Sequence, residues 1–360
     1  MKICTILGAR PQFIKACSFS RKVEEYKLKG MDIEEVIIHT GQHYDDEMSK
    51  VFFDEMGIPE PNYYLNFGNL SHGAMTGRMI EEIEKILIDY QPDWVLVYGD
   101  TNSTLAGAIA ASKLNIKIAH IEAGLRSNNN EMPEEINRII TDRVSNILFC
   151  PTNKSITNLK NEGVEYWKDT KYFLSGDIML ESTNHFKNLS LKPGNILIKK
   201  NFILTTVHRA ENTNDPEKLS NIFEALRHIS KECQVILPLH PRTDNIIKQN
   251  NINMEGITII PPVGYLNMTW LLSNCSTVIT DSGGLQKEAY FHEKPCLTLR
   301  EETEWSELVE NGVNVLSGWR KSDILDSFKK VLLIPENKFS KQLYGDGNCS
   351  AFILEKLINY

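Results

Sequence analysis

Thr277-Val278-Ile279-Thr280-Asp281-Ser282-Gly283-Gly284-Leu285-Gln286-Lys287-Glu288 runs from a short β-branched strand through a Ser-Gly-Gly corner into a helix. At such a corner the first main-chain N–H groups of the helix lack partners and lie at its positive end, where they can face a diphosphate. A plain strand-turn-helix connection has the same local pattern, so its surroundings decide the reading. Short β-rich runs at 202–207, 234–239, 258–260, 277–280 and 295–299 alternate with helical stretches. The first half does the same, with strands at 3–7, 36–40, 94–98, 116–121 and 147–150 and helical patterns at 75–90 and 104–114. This alternation predicts an α/β protein with parallel sheets covered by helices on both faces.

A length of 360 residues suits two domains of ordinary size. The division is expected at 174/175, giving a first Rossmann-like domain over 1–174 and a second over 175–347, with a last helix at about 348–360. Hydrophobic content of 41% and charged content of 24% are those of a soluble globular chain. No apolar run approaches the roughly 20 residues that span a bilayer, so no membrane association is expected. The start, Met1-Lys2-Ile3-Cys4-Thr5-Ile6-Leu7, is too short an apolar core for a secretory signal and reads as a first strand. Seven cysteines without CxxC spacing argue against a disulfide framework or a structural zinc site, and the expected location is the cytoplasm. A net charge of -8 without a basic stripe excludes nucleic acid as a natural partner. A small anionic substrate must then be met by local cations.

The residues with chemistry follow the carboxyl ends of the expected strands: Arg10, Gln42 and His43, Asp100, Glu122, then His208 and Arg209, His240 and Ser282. Open α/β sheets bind ligands outside those strand ends, so two such sheets facing each other would frame one interdomain cleft. Taken singly, each residue has a plainer reading: Asp100 as a helix N-cap before Thr101-Asn102-Ser103, His43 or His240 as a satisfied loop histidine. Gly8-Ala9-Arg10-Pro11 places Arg10 at the start of a helix whose first turn suits Pro11. Asp100, Glu122 and Glu134 put three carboxyl groups at comparable places. Clustered acids in a partly dry site drive their pKa values apart, which lets one donate a proton while another accepts. Glu135 reads instead as a complement to a helix N-terminus. No GxGxxG, P-loop, Gly-x-Ser-x-Gly or metal-ligand pattern appears, so no cofactor is expected.

Gly8-Ala9-Arg10-Pro11, Gly99-Asp100-Thr101, His120-Ile121-Glu122-Ala123-Gly124-Leu125-Arg126, Pro133-Glu134-Glu135-Ile136-Asn137-Arg138, His208-Arg209 and Asp281-Ser282-Gly283-Gly284-Leu285-Gln286-Lys287-Glu288 together resemble the non-hydrolysing UDP-N-acetylglucosamine 2-epimerase family. The resemblance runs from residue 1 to Tyr344-Gly345-Asp346-Gly347. It implies the GT-B architecture, a C-terminal helix that returns to the first domain, and a homodimer. Its substrate would be a UDP-activated acetamido sugar, inverted at C2 by elimination of UDP to a glycal and re-addition. The resemblance makes Asp100, Glu122, Glu134 and His208 the catalytic set. It makes Arg10, Lys15, His43, Arg138, His240, Ser282, Gly283, Gly284 and Glu288 the nucleotide-sugar set. Gln12 in the first motif, Ala210 after His208-Arg209, and Glu304-Trp305-Ser306-Glu307 are closer to the branch acting on UDP-2,3-diacetamido-2,3-dideoxyglucuronate, in surface polysaccharide (O-antigen) biosynthesis. UDP-N-acetylglucosamine is the alternative substrate. The arginines usual at Ala210 and Trp305 contact the nucleotide or an activating second substrate molecule in the family, so that form of regulation is not expected here. Two further readings are a GT-B glycosyltransferase, which requires an acceptor, and a sugar-nucleotide sensor, which binds without turnover.

Overall fold

Strand interiors in this chain are continuous apolar runs. In β4 (Trp94–Tyr98) every residue is buried, as a parallel sheet covered on both faces demands. The structure, a computed structural model, describes residues 1–42, 56–68, 70–194 and 196–360, and of Arg10 the backbone alone. The first sheet holds β1 (Lys2–Leu7), β2 (Glu34–His39), β3 (Tyr63–Tyr64), β4, β5 (Lys117–Ile121), β6 (Ile147–Cys150) and β7 (Lys171–Leu174). They lie in the order β3-β2-β1-β4-β5-β6-β7, all parallel. The second sheet holds β8 (Phe202–Thr206), β9 (Gln234–Pro238), β10 (Thr258–Ile260), β11 (Thr277–Thr280), β12 (Cys296–Thr298) and β13 (Asn314–Leu316). Its order is β10-β9-β8-β11-β12-β13, again all parallel. This is the two-sheet α/β architecture of the GT-B class.

Alternate residues of a strand feed opposite faces. Ile203 and Ile279 join a core with Leu226 and Phe328, whereas Leu204 and Val278 join another with Leu271 and Ala289. In the first sheet the helix Asn102–Lys113 lies close because it is built of small residues: a Cβ on Gly107 would come within 2.7 Å of Ile6 Cδ1.

The chain forms two compact units, Met1–Asn184 with Leu343–Tyr360, and His185–Gln342. The division therefore falls about ten residues later than the expected 174/175, within the helix Ile178–Lys187. The reason is local. Ser182 Oγ donates to Ile14 O at 2.7 Å, and Glu181 accepts from Ser350 N at 2.8 Å, so the front of that helix is bonded into the first unit. The helix Cys349–Ile358 belongs to the same unit and sets Phe352 edge-on to Phe149 and Phe173. Among the described residues no helix is long and apolar enough to cross a membrane.

Candidate functional site

In a doubly wound sheet the point where strand order reverses opens a crevice at the carboxyl ends. That point lies between β1 and β4 in the first unit and between β8 and β11 in the second. At the first, Gln12 fastens the two strand ends together. Its Oε1 accepts from Gly8 N (2.8 Å) and Ala9 N (3.0 Å), and its Nε2 donates to Tyr98 O (2.9 Å) and Thr104 Oγ1 (3.0 Å). A Cβ on Gly8 would fall 1.9 Å from Thr40 Oγ1, so only glycine fits there. One turn beyond Pro11, Lys15 is buried and its Nζ stands 2.8 Å from Glu122 Oε2.

Glu122 follows β5 with φ 70°, a left-handed conformation for a residue with a side chain. Such a conformation costs on the order of 1–3 kcal/mol and persists where the surroundings over-determine it. Here Glu122 N and Ala123 N both donate to Phe149 O, at 3.1 and 3.0 Å.

The helix cap after β4 is Thr101, whose hydroxyl accepts from Thr104 N, so Asp100 is not spent on capping. Asp100 Oδ2 instead stands 2.7 Å from Arg138 Nη2. Arg138 and Asn137 come from the helix Pro133–Val144, and Asn137 Nδ2 donates to Asp100 O at 2.9 Å. Burial pushes the Asp100 carboxyl up, although 32% of its side chain stays accessible. Arg138 and Lys15 oppose that rise, and Glu122 and Glu134 add to it. Two carboxyl groups, each with its own cation, thus occupy neighbouring strand ends in unlike surroundings, the arrangement that divides acid and base roles. The Glu134 side chain is exposed in the first turn of its helix, while its carbonyl accepts from Arg138 Nε at 3.2 Å. Glu135 is buried and accepts from Ser127 N, Ser127 Oγ and Asn128 N, which gives it a loop-holding part rather than a simple helix-end one. His43 lies outside the described residues, as does the Arg10 side chain.

In the second unit Ser282 caps the helix Gly283–Phe291, its hydroxyl accepting from Leu285 N at 3.4 Å. A Cβ at Gly284 would meet no described atom within 4 Å, so the helix end has open space. At Gly283 a Cβ would strike Glu304 Oε1 at 2.1 Å. Glu304 also pairs with Arg300 at 2.9 Å and approaches Arg209 at 3.9 Å. Asp281, fully buried, gathers His208 N, Arg209 N and Asn212 Nδ2, and its Oδ1 stands 3.4 Å from His208 Nδ1. It thereby aims the half-exposed His208 ring at the same strand ends as Ser282. Glu288 is buried one turn into the helix. His240 is exposed and caps the helix Pro241–Gln249, its Nδ1 accepting from Arg242 N at 3.2 Å.

Sequence reasoning missed Gln12, Asp281 and Glu304 as builders of these sites. The signal was plain for Asp281, which directly follows β11, whereas Gln12 lies inside the helix after β1 and Glu304 lies six residues past β12. Trp305, where the family's arginine is absent, is buried with the Lys287 ammonium 4.0 Å from its ring centroid, so that position serves the interior of the unit. No group of residues among those described has the makings of a metal site.

Comparison with known proteins agrees with this arrangement. The family described as UDP-N-acetylglucosamine 2-epimerase matches residues 27–358. The UDP-2,3-diacetamido-2,3-dideoxy-D-glucuronate 2-epimerase of Pseudomonas aeruginosa is 52% identical over 358 residues, covering 99% of each chain. The crystal structure of the Methanocaldococcus jannaschii UDP-GlcNAc 2-epimerase, in complex with UDP-GlcNAc and UDP, matches with a TM-score of 0.91 at 40% identity over 100% of both chains. The Neisseria meningitidis UDP-GlcNAc 2-epimerase bound to UDP-GlcNAc gives a TM-score of 0.87 at 30% identity, also over 100% of both chains. With strand ends, motifs and full-length relatives in agreement, the chain belongs to the UDP-N-acetylglucosamine 2-epimerase family and is a UDP-sugar 2-epimerase, an isomerase.

Proposed function

We propose that the substrate is UDP-2,3-diacetamido-2,3-dideoxy-glucuronate, converted to its manno epimer. The full-length likeness to the Pseudomonas aeruginosa enzyme at 52% identity carries this reading. The departures at Ala210 and Trp305 support it. UDP-N-acetylglucosamine is the second reading, favoured by the 40% identity to the Methanocaldococcus jannaschii enzyme solved with that sugar nucleotide.

The C2 proton of a pyranose is too weakly acidic for a carboxylate to remove directly. When the C1–O bond to the diphosphate breaks, its electron pair leaves with UDP, and oxocarbenium character at C1 acidifies C2–H. A base takes that proton and a glycal forms. UDP then adds back at C1 while a proton is delivered to the other face of C2, so atoms and charge balance. In this proposal Asp100, Glu122 and Glu134 carry the protons. Ser282, Gly283 and Gly284, with Arg10 and His208, stabilise the departing diphosphate. Lys15, Arg138, Glu288, His43 and His240 complete the nucleotide-sugar contacts. A cytoplasmic homodimer serving surface polysaccharide synthesis is the proposed setting, and sedimentation analysis of the purified protein tests the dimer.

The decisive assay incubates the enzyme in D2O with each UDP-sugar in turn and reads C2 by NMR. The diacetamido uronate is expected to turn over faster, with deuterium entering C2 of the product. Product carrying only protium at C2 rejects the elimination route, and preference for UDP-N-acetylglucosamine selects the second reading.

A further inference from the structure

Between the two carboxylate-bearing turns of the first unit lies a fully buried imidazole. His120, in β5, has Nε2 2.7 Å from Gly99 O and Nδ1 2.7 Å from Asp142 Oδ1. A carbonyl oxygen only accepts, so Nε2 carries a hydrogen. Asp142 is an acceptor on its other side too, where Oδ2 receives Arg126 Nη1 at 2.7 Å and Gly124 N at 3.1 Å. Nδ1 therefore donates as well, and a neutral imidazole has one hydrogen to give, not two.

We propose that His120 is a buried imidazolium acting as a positioning residue, which clamps the Gly99–Asp100 peptide to the turn that carries Glu122. This rests on reading Asp100 and Glu122 as proton-transfer groups. One face of the ring's hydrogen bonding holds the residue before Asp100. Through Asp142 the other side brackets Glu122, because the two oxygens of Asp142 bond His120 and Gly124, two residues either side of it. That bracket joins the two hydrogen bonds to Phe149 O in retaining Glu122 in its left-handed conformation. Nearby charges balance: Arg126 forks onto Glu162 at 2.6 and 2.8 Å, so His120 and Arg126 face Asp142 and Glu162. From β6 the neighbouring Cys150 is a neutral thiol, its pKa driven up first by burial. Lys15 with Glu122 and Arg138 with Asp100 are the charged pairs beyond the ring's own partners.

The test uses the full-length enzyme labelled with 15N-histidine, the His120 signals being assigned by comparison with His120→Gln. At neutral pH both His120 nitrogens are expected in the N–H form, and a nitrogen without hydrogen overturns the proposal. In His120→Gln, kcat should fall about 100-fold, as misplacement of a reacting group by about 1 Å does, while KM and UDP affinity stay within about two-fold. Undiminished kcat, or a parallel loss of UDP affinity and melting temperature, overturns it. Should His120→Gln fail to fold, Asp142→Asn replaces it, with loss of the second ring hydrogen and of kcat as the expected result. Full turnover in Asp100→Asn refutes the acid assignment while leaving the spectrum to judge the ring.

Discussion

Asp100 and Glu122 differ in what holds them, and that difference predicts how each responds to removal. Glu122 is buried against Lys15, whereas Asp100 keeps part of its surface open and pairs with Arg138. Asp100→Asn and Glu122→Gln are each expected to lower kcat by about 10²–10⁴, the contribution typical of a positioned acid or base. UDP binding, read by calorimetry, should survive in both. Gly283 offers a second check: a methyl there collides with Glu304 Oε1, so Gly283→Ala should displace Glu304 and weaken UDP binding by about ten-fold, or roughly 1.4 kcal/mol. Unchanged affinity would remove Gly283 from the diphosphate site.

Elements carry their own signatures of strain and charge. Between β1 and β2, Glu35 accepts a hydrogen bond from Thr5 Oγ1. Burial raises its pKa to about 7, over the opposing hydrogen bond from Thr5. The carboxyl then binds its proton more tightly in the folded chain than in the unfolded one. Folding is favoured below the ordinary glutamate range, and that advantage is lost as pH rises through about 7. Glu35→Gln should remove this slope and stabilise the protein above pH 7 by on the order of 2 kcal/mol, as measured by urea unfolding between pH 5 and 8. A variant that keeps the slope would assign it elsewhere. At the end of β5, Gly124 has φ 78° and its Cβ position lies 2.6 Å from Ser155 O, a backbone atom. Gly124→Ala should therefore destabilise by roughly 1–3 kcal/mol, read as a lower urea midpoint.

At the scale of the molecule, the last helix is part of the first unit's core rather than a tail. Ile353, Leu354 and Leu357 are buried, Ser350 bonds Glu181, and the Tyr360 ring meets Trp94 at 5.0 Å. Each large apolar side chain buried contributes about 1.5–3 kcal/mol. Deleting residues 348–360 should lower the unfolding free energy of the first unit by on the order of 5 kcal/mol and leave the second unit's transition in place. Equal loss in both units would contradict the division described above. Much of this architecture was legible in the chain itself. Runs such as Trp94-Val95-Leu96-Val97-Tyr98 are apolar throughout because both sheet faces are covered, and polar residues after them mark the carboxyl ends. Three of the four edge strands were not legible: both residues of β3 are exposed, β7 is only partly covered, and β13 has one buried residue, so burial imposes no pattern on them, whereas the fourth edge, β10, was read at 258–260. Sequence by itself determined the parallel α/β class and the strand ends that carry chemistry, since both follow from local periodicity. Only the tertiary structure decided that Lys15 meets Glu122, that Arg138 meets Asp100, and that Asp142 ties His120 to Gly124. Those partners are brought together by crossovers between strands, and a contact made across a crossover leaves no spacing in the chain from which to read it.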